Sequence, residues 1–207
     1  MDRAGILVRQ AEELGIVIDD ARAEQLLAFE RLLLERAIPL GAVAAGDAPR
    51  LRERHVLDSL RAARALSTGD RIAVDLGTGA GLPGLVLAIA RPDVRFTLLE
   101  PRQRRAAFVE LAVERLGLRN VRVLARRAEE LSALVGRGVE PPADLALARA
   151  LGSLERCLRL ARGLLGPGGR LVWFAGKMRV GPLPPAAEVI ETPELESAGP
   201  LVIMGGQ

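Results

Sequence analysis

The chain has 207 residues, of which 49% are hydrophobic and 27% are charged, a balance typical of one globular domain with at most a small appendage. A single cysteine excludes an internal disulfide, and no apolar run reaches the roughly 18 residues that a membrane-spanning helix needs. The net charge is only +3 and the basic residues are nearly all arginine, which makes composition weak evidence for nucleic-acid binding. We expect a cytoplasmic monomer that does not contact a membrane.

Helical periodicity dominates the first third of the chain. Apolar side chains recur at helical spacing and predict helices over residues 6–14, 21–36 and 49–66. The run "IPLGAVAAGDAP", between the last two, has the composition of a loop. We therefore predict a helical N-terminal cap over residues 1–66.

After residue 66 the pattern changes to alternating strands and helices. Short runs rich in leucine and β-branched residues predict strands over 71–76, 94–99, 121–125, 144–148 and 170–175. Amphipathic runs between them predict helices over 83–91, 103–117, 127–135 and 151–165. Two short strands, 187–191 and 200–204, are expected to form a terminal hairpin. This order predicts an α/β domain over residues 67–207, with a mostly parallel, doubly wound sheet.

The run "AVDLGTGAGLPG", which starts at residue 73, joins a predicted strand to a predicted helix through a glycine-rich turn. Gly79, Gly81 and Gly84 satisfy the dinucleotide pattern G-x-G-x-x-G, a weak signal in a chain with 22 glycines. Asp75 places a carboxylate where a phosphate would have to be tolerated, and Pro83 removes a backbone N–H that an anion would use. Both residues favour a cationic ligand without phosphate, and S-adenosylmethionine has that chemistry.

Two further strand ends carry groups that suit an adenosine. Glu100 ends the second predicted strand, and a carboxylate there can accept both hydroxyls of a ribose. After the third strand, Ala128 and Glu129 could border the adenine. Because the carboxyl ends of parallel strands meet at one edge of a sheet, these residues and the glycine turn predict one cofactor site.

Three motifs resemble one family. The stretch from "AVDLGTGAGLPG" to "ARRAEEL" (73–131), "HVLDSL" (55–60) before it and "LARALGSL" (147–154) after it are similar, in order and spacing, to the bacterial 16S rRNA guanine-N7 methyltransferase family. This family is also called the glucose-inhibited division protein B family, and the chain resembles a divergent member over residues 50–175. The resemblance implies a class I, Rossmann-like fold that uses S-adenosylmethionine. It also implies an acceptor, N7 of a guanine in 16S rRNA or in the small ribosomal subunit.

The residue pattern and the resemblance together give the candidate site residues. Those expected to bind the cofactor are Asp75, Gly77, Thr78, Gly79, Gly81, Leu82, Glu100, Pro101, Ala128, Glu129 and Arg149. Those expected to act on the acceptor are Arg149, Lys177 and His55. No metal is expected, because the sequence offers no cluster of histidines and acids with ligand spacing.

The substrate half departs from the family pattern. The family's lysine–glycine pair after the fifth strand aligns with Ala175 and Gly176, and Lys177 comes two positions after the alanine. The arginine that precedes the last strand in the family is replaced by Gly199 and Pro200. These changes leave two other functions open: a small-molecule methyltransferase of secondary metabolism, and a degenerate cofactor-binding protein without activity on rRNA.

Methylation at guanine N7 needs no general base, because that nitrogen carries a lone pair and no proton. The chain therefore needs no catalytic histidine for this reaction. His55 shares a helix face with Asp58 at i+3 and Ser59 at i+4. It is either a structural residue or a neighbour of the substrate.

Three other side chains also have two interpretations. Arg149 follows a buried strand, where it either faces the site or forms a salt bridge to an acid such as Asp75 or Glu129. Trp173 and Phe174 lie on opposite faces of the fifth predicted strand. Either both rings pack in the core, or one of them stacks on a flat base.

Overall fold

The computed structural model describes residues 2–176 and 183–206, and these residues build a seven-stranded mixed sheet. The strands are β1 (Ile72–Leu76), β2 (Arg95–Leu99), β3 (Val121–Leu124), β4 (Ala143–Arg149), β5 (Leu165–Phe174), β6 (Glu188–Ile190) and β7 (Leu201–Gly205). Their order is β3-β2-β1-β4-β5-β7-β6. The first five run parallel, while β7 is antiparallel to both β5 and β6. The predicted α/β fold with its terminal hairpin is confirmed.

Helices cover both faces of this sheet. They are α1 (Arg3–Glu13), α2 (Asp20–Leu32), α3 (Asp58–Leu60), α4 (Gly84–Ala90), α5 (Gln103–Leu116), α6 (Ala128–Gly136) and α7 (Leu154–Arg162). Aspartates cap the first two: Asp2 accepts from Gly5 N at 2.8 Å, and Asp19 accepts from Arg22 N at 2.9 Å. α5 ends at Gly117, whose φ of 65° is easily adopted only by glycine. Local sequence signals therefore set these helix ends.

The third N-terminal segment, predicted as one helix over 49–66, is instead a series of short turns around α3. A 3₁₀ turn (Ala45–Arg50), a π turn (Arg52–Leu57), α3 and a second 3₁₀ turn (Arg61–Ala65) follow one another. In the π turn, Asp58 N–H donates to the carbonyls of Glu53 and His55. An α-helix would use the carbonyl of Arg54 instead, so this oxygen is open to a distant donor.

β5 begins at Leu165, earlier than the predicted start at residue 170. Leu165 pairs with Ala143, and after an irregularity in the register Arg170 pairs with Leu145. Three glycines between these pairs have the composition of a turn, so the sequence did not indicate that the strand continues through them.

The N-terminal helices and the sheet share one hydrophobic core. Leu7 of α1, together with Leu26 and Phe29 of α2, is fully buried in the same cluster as Phe96 and Leu98 of β2. A second buried cluster fills the opposite face, beneath α6 and α7. The cap packs on α4 and α5, which in turn cover the sheet that carries the glycine turn. Across residues 2–176 and 183–206, every helix is too short or too polar to cross a membrane.

Candidate active site

A cavity of about 220 Å³, here called the β1–β4 cavity, opens beyond the carboxyl ends of β1 and β4. The strand order reverses at this point, and open α/β sheets bind their ligands at such reversals. Six of the predicted site residues line it: His55, Gly77, Thr78, Gly79, Leu82 and Arg149. The cavity brings together the cap, the glycine turn and the end of β4.

Asp75 lies beneath the glycine turn and is 1% exposed. Its Oδ2 accepts hydrogen bonds from Thr78 Oγ1 at 2.5 Å and from Gly84 N at 2.9 Å. Its Oδ1 is buried and has no hydrogen-bond partner among residues 2–176 and 183–206. Burial raises the pKa of Asp75 to about 6, although the hydrogen bonds from Thr78 and Gly84 act to lower it. This carboxylate therefore braces the turn and keeps one acceptor atom unused.

The glycine turn uses its backbone N–H groups internally. Those of Gly81 and Leu82 donate to the Thr78 carbonyl at 2.9 and 3.0 Å. The N–H of Gly79 donates to Glu100 Oε2 at 3.1 Å. A phosphate-binding turn points such groups at its ligand instead. The hydrogen bonding of this turn therefore argues against a phosphate ligand.

Glu100, at the end of β2, is 4% exposed and bonded to the turn. Each of its oxygens accepts one backbone N–H, from Gly79 at 3.1 Å and from Arg102 at 2.9 Å. A carboxylate has about four lone-pair positions, so about two remain for the hydroxyls of a ribose. Glu100 can thus organise the turn and still bind a ligand.

The other predicted cofactor residues lie around this cavity and do not line it. Ala128 and Glu129 begin α6 after β3, which pairs with β2, so they share the sheet edge with Glu100. Glu129 and Pro101 are exposed, whereas Gly81 is buried within the turn. Contact of these four residues with the cofactor stays a prediction.

Arg149 ends β4 and is held by the π turn of the cap. Its Nη2 donates to the Arg54 carbonyl at 2.6 Å and to His55 Nδ1 at 3.1 Å. The same nitrogen pairs with Asp58 Oδ2 at 3.2 Å, while Nη1 donates to Ser59 Oγ at 3.2 Å. The open carbonyl of the π turn is therefore an anchor for this guanidinium, and burial lowers the pKa of Arg149 while Asp58 raises it.

The carboxylate partner of Arg149 differs from the sequence-based expectation. The salt bridge to Asp75 or Glu129 was wrong, because the acid within bonding distance is Asp58. Asp58 comes from the motif "HVLDSL" and Arg149 from "LARALGSL". Two motifs that are distant in sequence are thus one structural unit.

His55 uses both of its ring nitrogens. Nδ1 accepts the hydrogen bond from Arg149, so Nε2–H donates to Asp47 Oδ2 at 2.9 Å. Burial lowers the pKa of His55, and the charge of Arg149 lowers it further against the opposing effect of Asp47. A neutral ring is the form that fits these contacts. His55 therefore positions Arg149 and is not free to accept a proton from a substrate.

Five wall residues of the β1–β4 cavity were missed by the sequence analysis: Ala42, Val43, Ala80, Arg105 and Ala150. Arg105 of α5 donates from Nη2 to the Gly41 carbonyl at 3.0 Å and lines the cavity with Val43. The predicted loop before residue 49 therefore closes one side of the site. Ala150 has a φ of 53°, a strained value for a residue with a side chain. Nothing in an alanine or in one arginine among many signals these roles.

A second cavity, of about 590 Å³ and here called the Arg149 groove, lies on the other side of Arg149. It shares Arg149 and Ala150 with the β1–β4 cavity and reaches Ala175 and Gly176 after β5. Arg149 is thus the wall between two adjoining spaces. Lys177, also predicted to act on the acceptor, lies outside the described residues.

The residues of the β1–β4 cavity fit S-adenosylmethionine. Four N–H groups of the glycine turn, those of Thr78, Gly79, Gly81 and Leu82, are donated within the fold. Glu100 beside the turn keeps lone pairs for a ribose, while Asp75 stays buried beneath the turn and supports its shape. Within residues 2–176 and 183–206, no group of three or more histidines, cysteines and acids could hold a metal ion. The fold and the site define a class I, S-adenosylmethionine-dependent methyltransferase.

Comparison with known proteins places the chain within this class. A family model described as "rRNA small subunit methyltransferase G" matches residues 22–192. A protein named ribosomal RNA small subunit methyltransferase G from Salinispora arenicola is 41% identical over 185 residues, covering 86% of this chain and 76% of that protein. One of the same name from Leifsonia xyli subsp. xyli is 36% identical over 201 residues, covering 93% and 92%. The chain belongs to the rRNA small subunit methyltransferase G family.

The family match confirms the resemblance seen in the sequence and extends it into the cap. A solved structure also supports the fold: the crystal structure of a mutant of MtNAS superposes with a TM-score of 0.56 and 19% sequence identity. That superposition covers 89% of this chain and 73% of the other. At this identity the likeness bears on the fold alone.

Proposed function

We propose that this protein transfers a methyl group from S-adenosylmethionine to N7 of a guanine in 16S rRNA, either free or in the small ribosomal subunit. The observation that carries the proposal is the pairing of two spaces across Arg149. One is lined by a glycine turn whose Thr78, Gly79, Gly81 and Leu82 N–H groups are donated within the fold, and the other is open to an acceptor. Membership of the family indicates which acceptor this is.

When bound, S-adenosylmethionine supplies a methyl group already activated on a sulfonium, so the chain mainly has to position the two reactants. We assign the ribose hydroxyls to the free lone pairs of Glu100. Gly77 and Gly79, which have no side chains, let the ligand approach the backbone of the turn. Ala128 and Glu129 would border the adenine at the end of β3.

The acceptor nitrogen needs no base, and His55 is not available as one. Guanine N7 has no proton to remove, and both ring nitrogens of His55 are engaged by Arg149 and Asp47. We therefore assign His55 a positioning role through Arg149. We therefore expect that the rate of methyl transfer does not fall at low pH through protonation of a histidine base.

A donor to guanine O6 would orient the base without blocking N7. Arginine or lysine usually contacts O6 and N7 together, but a donor on N7 would occupy the attacking lone pair. Arg149 has contacts on Nη1 and Nη2 within the described residues, none of them on Nε. Arg149 and Lys177 are thus the two candidate donors.

We favour Lys177 for this contact, because glycines flank its segment "AGKMRVG". The variant Lys177→Ala is expected to lower methyl transfer at least tenfold, about 1.4 kcal/mol, while cofactor affinity stays unchanged. Arg137→Ala, an exposed arginine at the end of α6, serves as the control. Undiminished transfer by the lysine variant would assign the contact to Arg149.

The acceptor itself is tested by transfer of labelled methyl groups to isolated small ribosomal subunits and to naked 16S rRNA. Mass spectrometry of nucleosides from cells with and without the gene should show 7-methylguanosine only where the gene is present. A protein that binds cofactor but labels neither substrate would contradict the proposal, and small-molecule acceptors would then be tested.

The cofactor assignment has its own measurement. Calorimetry is expected to show micromolar-range binding of S-adenosylmethionine or S-adenosylhomocysteine and no measurable binding of NAD, because the turn lacks free donors for a pyrophosphate. Heat with NAD and none with the sulfonium ligand would reverse the assignment.

We further propose that the protein acts as a monomer in the cytoplasm, with residues 1–66 as a cap on a methyltransferase domain over 67–207. The shared core of the cap and the sheet supports one cooperative unit. Sedimentation equilibrium tests whether the protein is a monomer. Fractionation of cells tests whether it is found in the cytoplasm with the small ribosomal subunit.

A further inference from the structure

The Arg149 groove adjoins the β1–β4 cavity through a shared wall. Its volume is about 590 Å³, and its shared residues are Arg149 and Ala150. A transfer reaction needs the acceptor on the open side of the methyl donor. The side chains that line the groove should therefore suit the acceptor.

Trp173 gives the groove a flat wall. It lies near the end of β5, lines the groove and remains partly exposed. Its Nε1 donates to the Gly152 carbonyl at 3.1 Å, which fixes the orientation of the indole. The neighbouring Phe174 is 6% exposed and lies under Arg61, with 5.5 Å between the guanidinium carbon and the ring centroid. The two aromatic residues thus differ in exposure: Trp173 is half-buried, because part of its ring packs against the clusters beneath α7 and beside β7. Its exposed part lines the groove.

The facing wall of the groove is cationic. Asp58 Oδ1 pairs with Arg61 Nε at 2.8 Å, and Asp58 Oδ2 pairs with Arg149 Nη2 at 3.2 Å. One carboxylate therefore serves two guanidinium groups. Arg54, also on the groove, is paired with Asp47 at 3.2 Å. The groove keeps an excess of one positive charge, which suits an electron-rich base and its phosphate.

Small residues keep the floor of the groove open. Ala175, Gly176 and Gly199 line it, and the backbone of Gly199 lies so close to Gly176 that a Cβ at Gly199 would come within 2.8 Å of the Gly176 carbonyl carbon. No bulky side chain among these three occupies the space beside the indole. The groove therefore has room for a planar group beside the exposed part of the indole.

We propose that the Arg149 groove binds a single purine base turned out of an RNA strand, stacked on the indole of Trp173 with its polar edge toward Arg149. This inference rests on the proposed function and names the acceptor subsite for it. Every base has a π face, and stacking on an aromatic ring is how proteins hold unpaired bases. The charged wall then supplies the polar contacts, and the wall shared at Arg149 sets the base beside the methyl donor.

The chain supplies its own probe for this subsite. Trp173 is the single tryptophan, and tyrosine is absent, so intrinsic fluorescence excited at the indole reports this position alone. Guanosine 5′-monophosphate, added to the protein with S-adenosylhomocysteine, is expected to quench this emission in a saturable way. Ribose 5-phosphate is expected to cause no quenching, since it carries the phosphate without the base. No quenching by the nucleotide, or equal quenching by ribose 5-phosphate, would overturn the inference.

Substitution gives a second test with a separate readout. Trp173→Ala is expected to raise KM for naked 16S rRNA at least tenfold while the Kd for S-adenosylhomocysteine changes less than twofold. Trp173→Phe keeps a flat ring and should stay within about threefold of the wild type. Val189→Ala, an exposed apolar position on β6, is the matched control, and thermal melting checks that each variant is folded. An unchanged KM in a folded Trp173→Ala variant overturns the subsite.

Failure of the subsite and failure of the proposed function give different results. If the wild type methylates 16S rRNA but Trp173→Ala does so equally well, the groove assignment falls and the function stands. If the wild type binds S-adenosylhomocysteine but methylates no RNA, the function falls. The fluorescence titration then decides the groove by itself, because saturable quenching supports a base site and its absence overturns one.

Discussion

The two sides of Arg149 are built in different ways. On the cofactor side, the bonds that shape the glycine turn join residues 3, 9 and 21 positions apart, as in the contacts of Asp75 and Glu100. On the groove side, Arg149 reaches residues 90 and 95 positions away, and Arg61 reaches Thr192 across 131 positions. The glycine turn of the cofactor site is therefore a local structure, whereas the acceptor wall exists only when the whole chain has folded. Each prediction below tests this difference.

Removal of the Asp58 carboxylate should have the largest effect on stability. Its partner Arg61 is 1% exposed, so Asp58→Ala leaves a buried cation without its acid, which typically costs about 3–5 kcal/mol of unfolding free energy. Urea unfolding measures this loss. Glu155→Ala, which removes the exposed partner of Arg159, should cost less than about 1 kcal/mol. Similar small losses in both variants would show that the groove wall is not a buried network.

Asp75 should give the cofactor side a pH dependence of unusual sign. Its pKa is about 6 in the fold, above the ordinary 3.8, so the folded protein holds a proton that the unfolded chain releases between these values. Unfolding free energy therefore rises as the pH falls through this window, by on the order of 2 kcal/mol between pH 7 and pH 4.

Comparison with Asp75→Asn isolates that contribution, because the amide does not titrate. The difference in unfolding free energy between the wild type and the variant should move in favour of the wild type as the pH falls. A difference that stays constant between pH 7 and pH 4 would mean that Asp75 has an ordinary pKa.

Glu100→Ala should weaken cofactor binding and leave the protein folded. Loss of a charged acceptor typically costs on the order of 1.5–3 kcal/mol, and calorimetry with S-adenosylhomocysteine measures it. Glu110→Ala, an exposed glutamate on α5, is the control and should bind normally. Unchanged affinity in Glu100→Ala would mean that this carboxylate serves the turn alone.

The smallest expected effect is at Ala150. Its positive φ is strained for alanine and easy for glycine, so Ala150→Gly should raise the unfolding free energy by no more than about 1 kcal/mol. The same substitution at Ala133, inside α6, should lower it by about 1 kcal/mol. Loss of stability at both positions would contradict the strain at Ala150.

The sequence predicted the local side of the site well. The strand, the glycine turn and the carboxylate at Glu100 follow from composition and spacing within a short segment, and the sheet order places them at one edge. Even there, periodicity could not show that Asp75 points beneath the turn and not into the cavity. Burial of a side chain at a strand end depends on what packs over it.

The acceptor side was less predictable for a physical reason. Over Arg52–Leu57 the Asp58 N–H bypasses the Arg54 carbonyl, and that carbonyl accepts from the guanidinium of Arg149. Local propensity favours an uninterrupted helix and carries no information about that distant donor. For the same reason, the sequence did not indicate that Arg149 pairs with Asp58 and not with Asp75 or Glu129.

The core shared by the cap and the sheet has a consequence for the order of synthesis. Leu7, Leu26 and Phe29 emerge from the ribosome before α4 and α5, the helices on which α2 packs. During that interval the apolar face of the nascent cap has no partner and is a site for chaperones or for self-association. The cap can therefore reach its final form only after translation has passed α5.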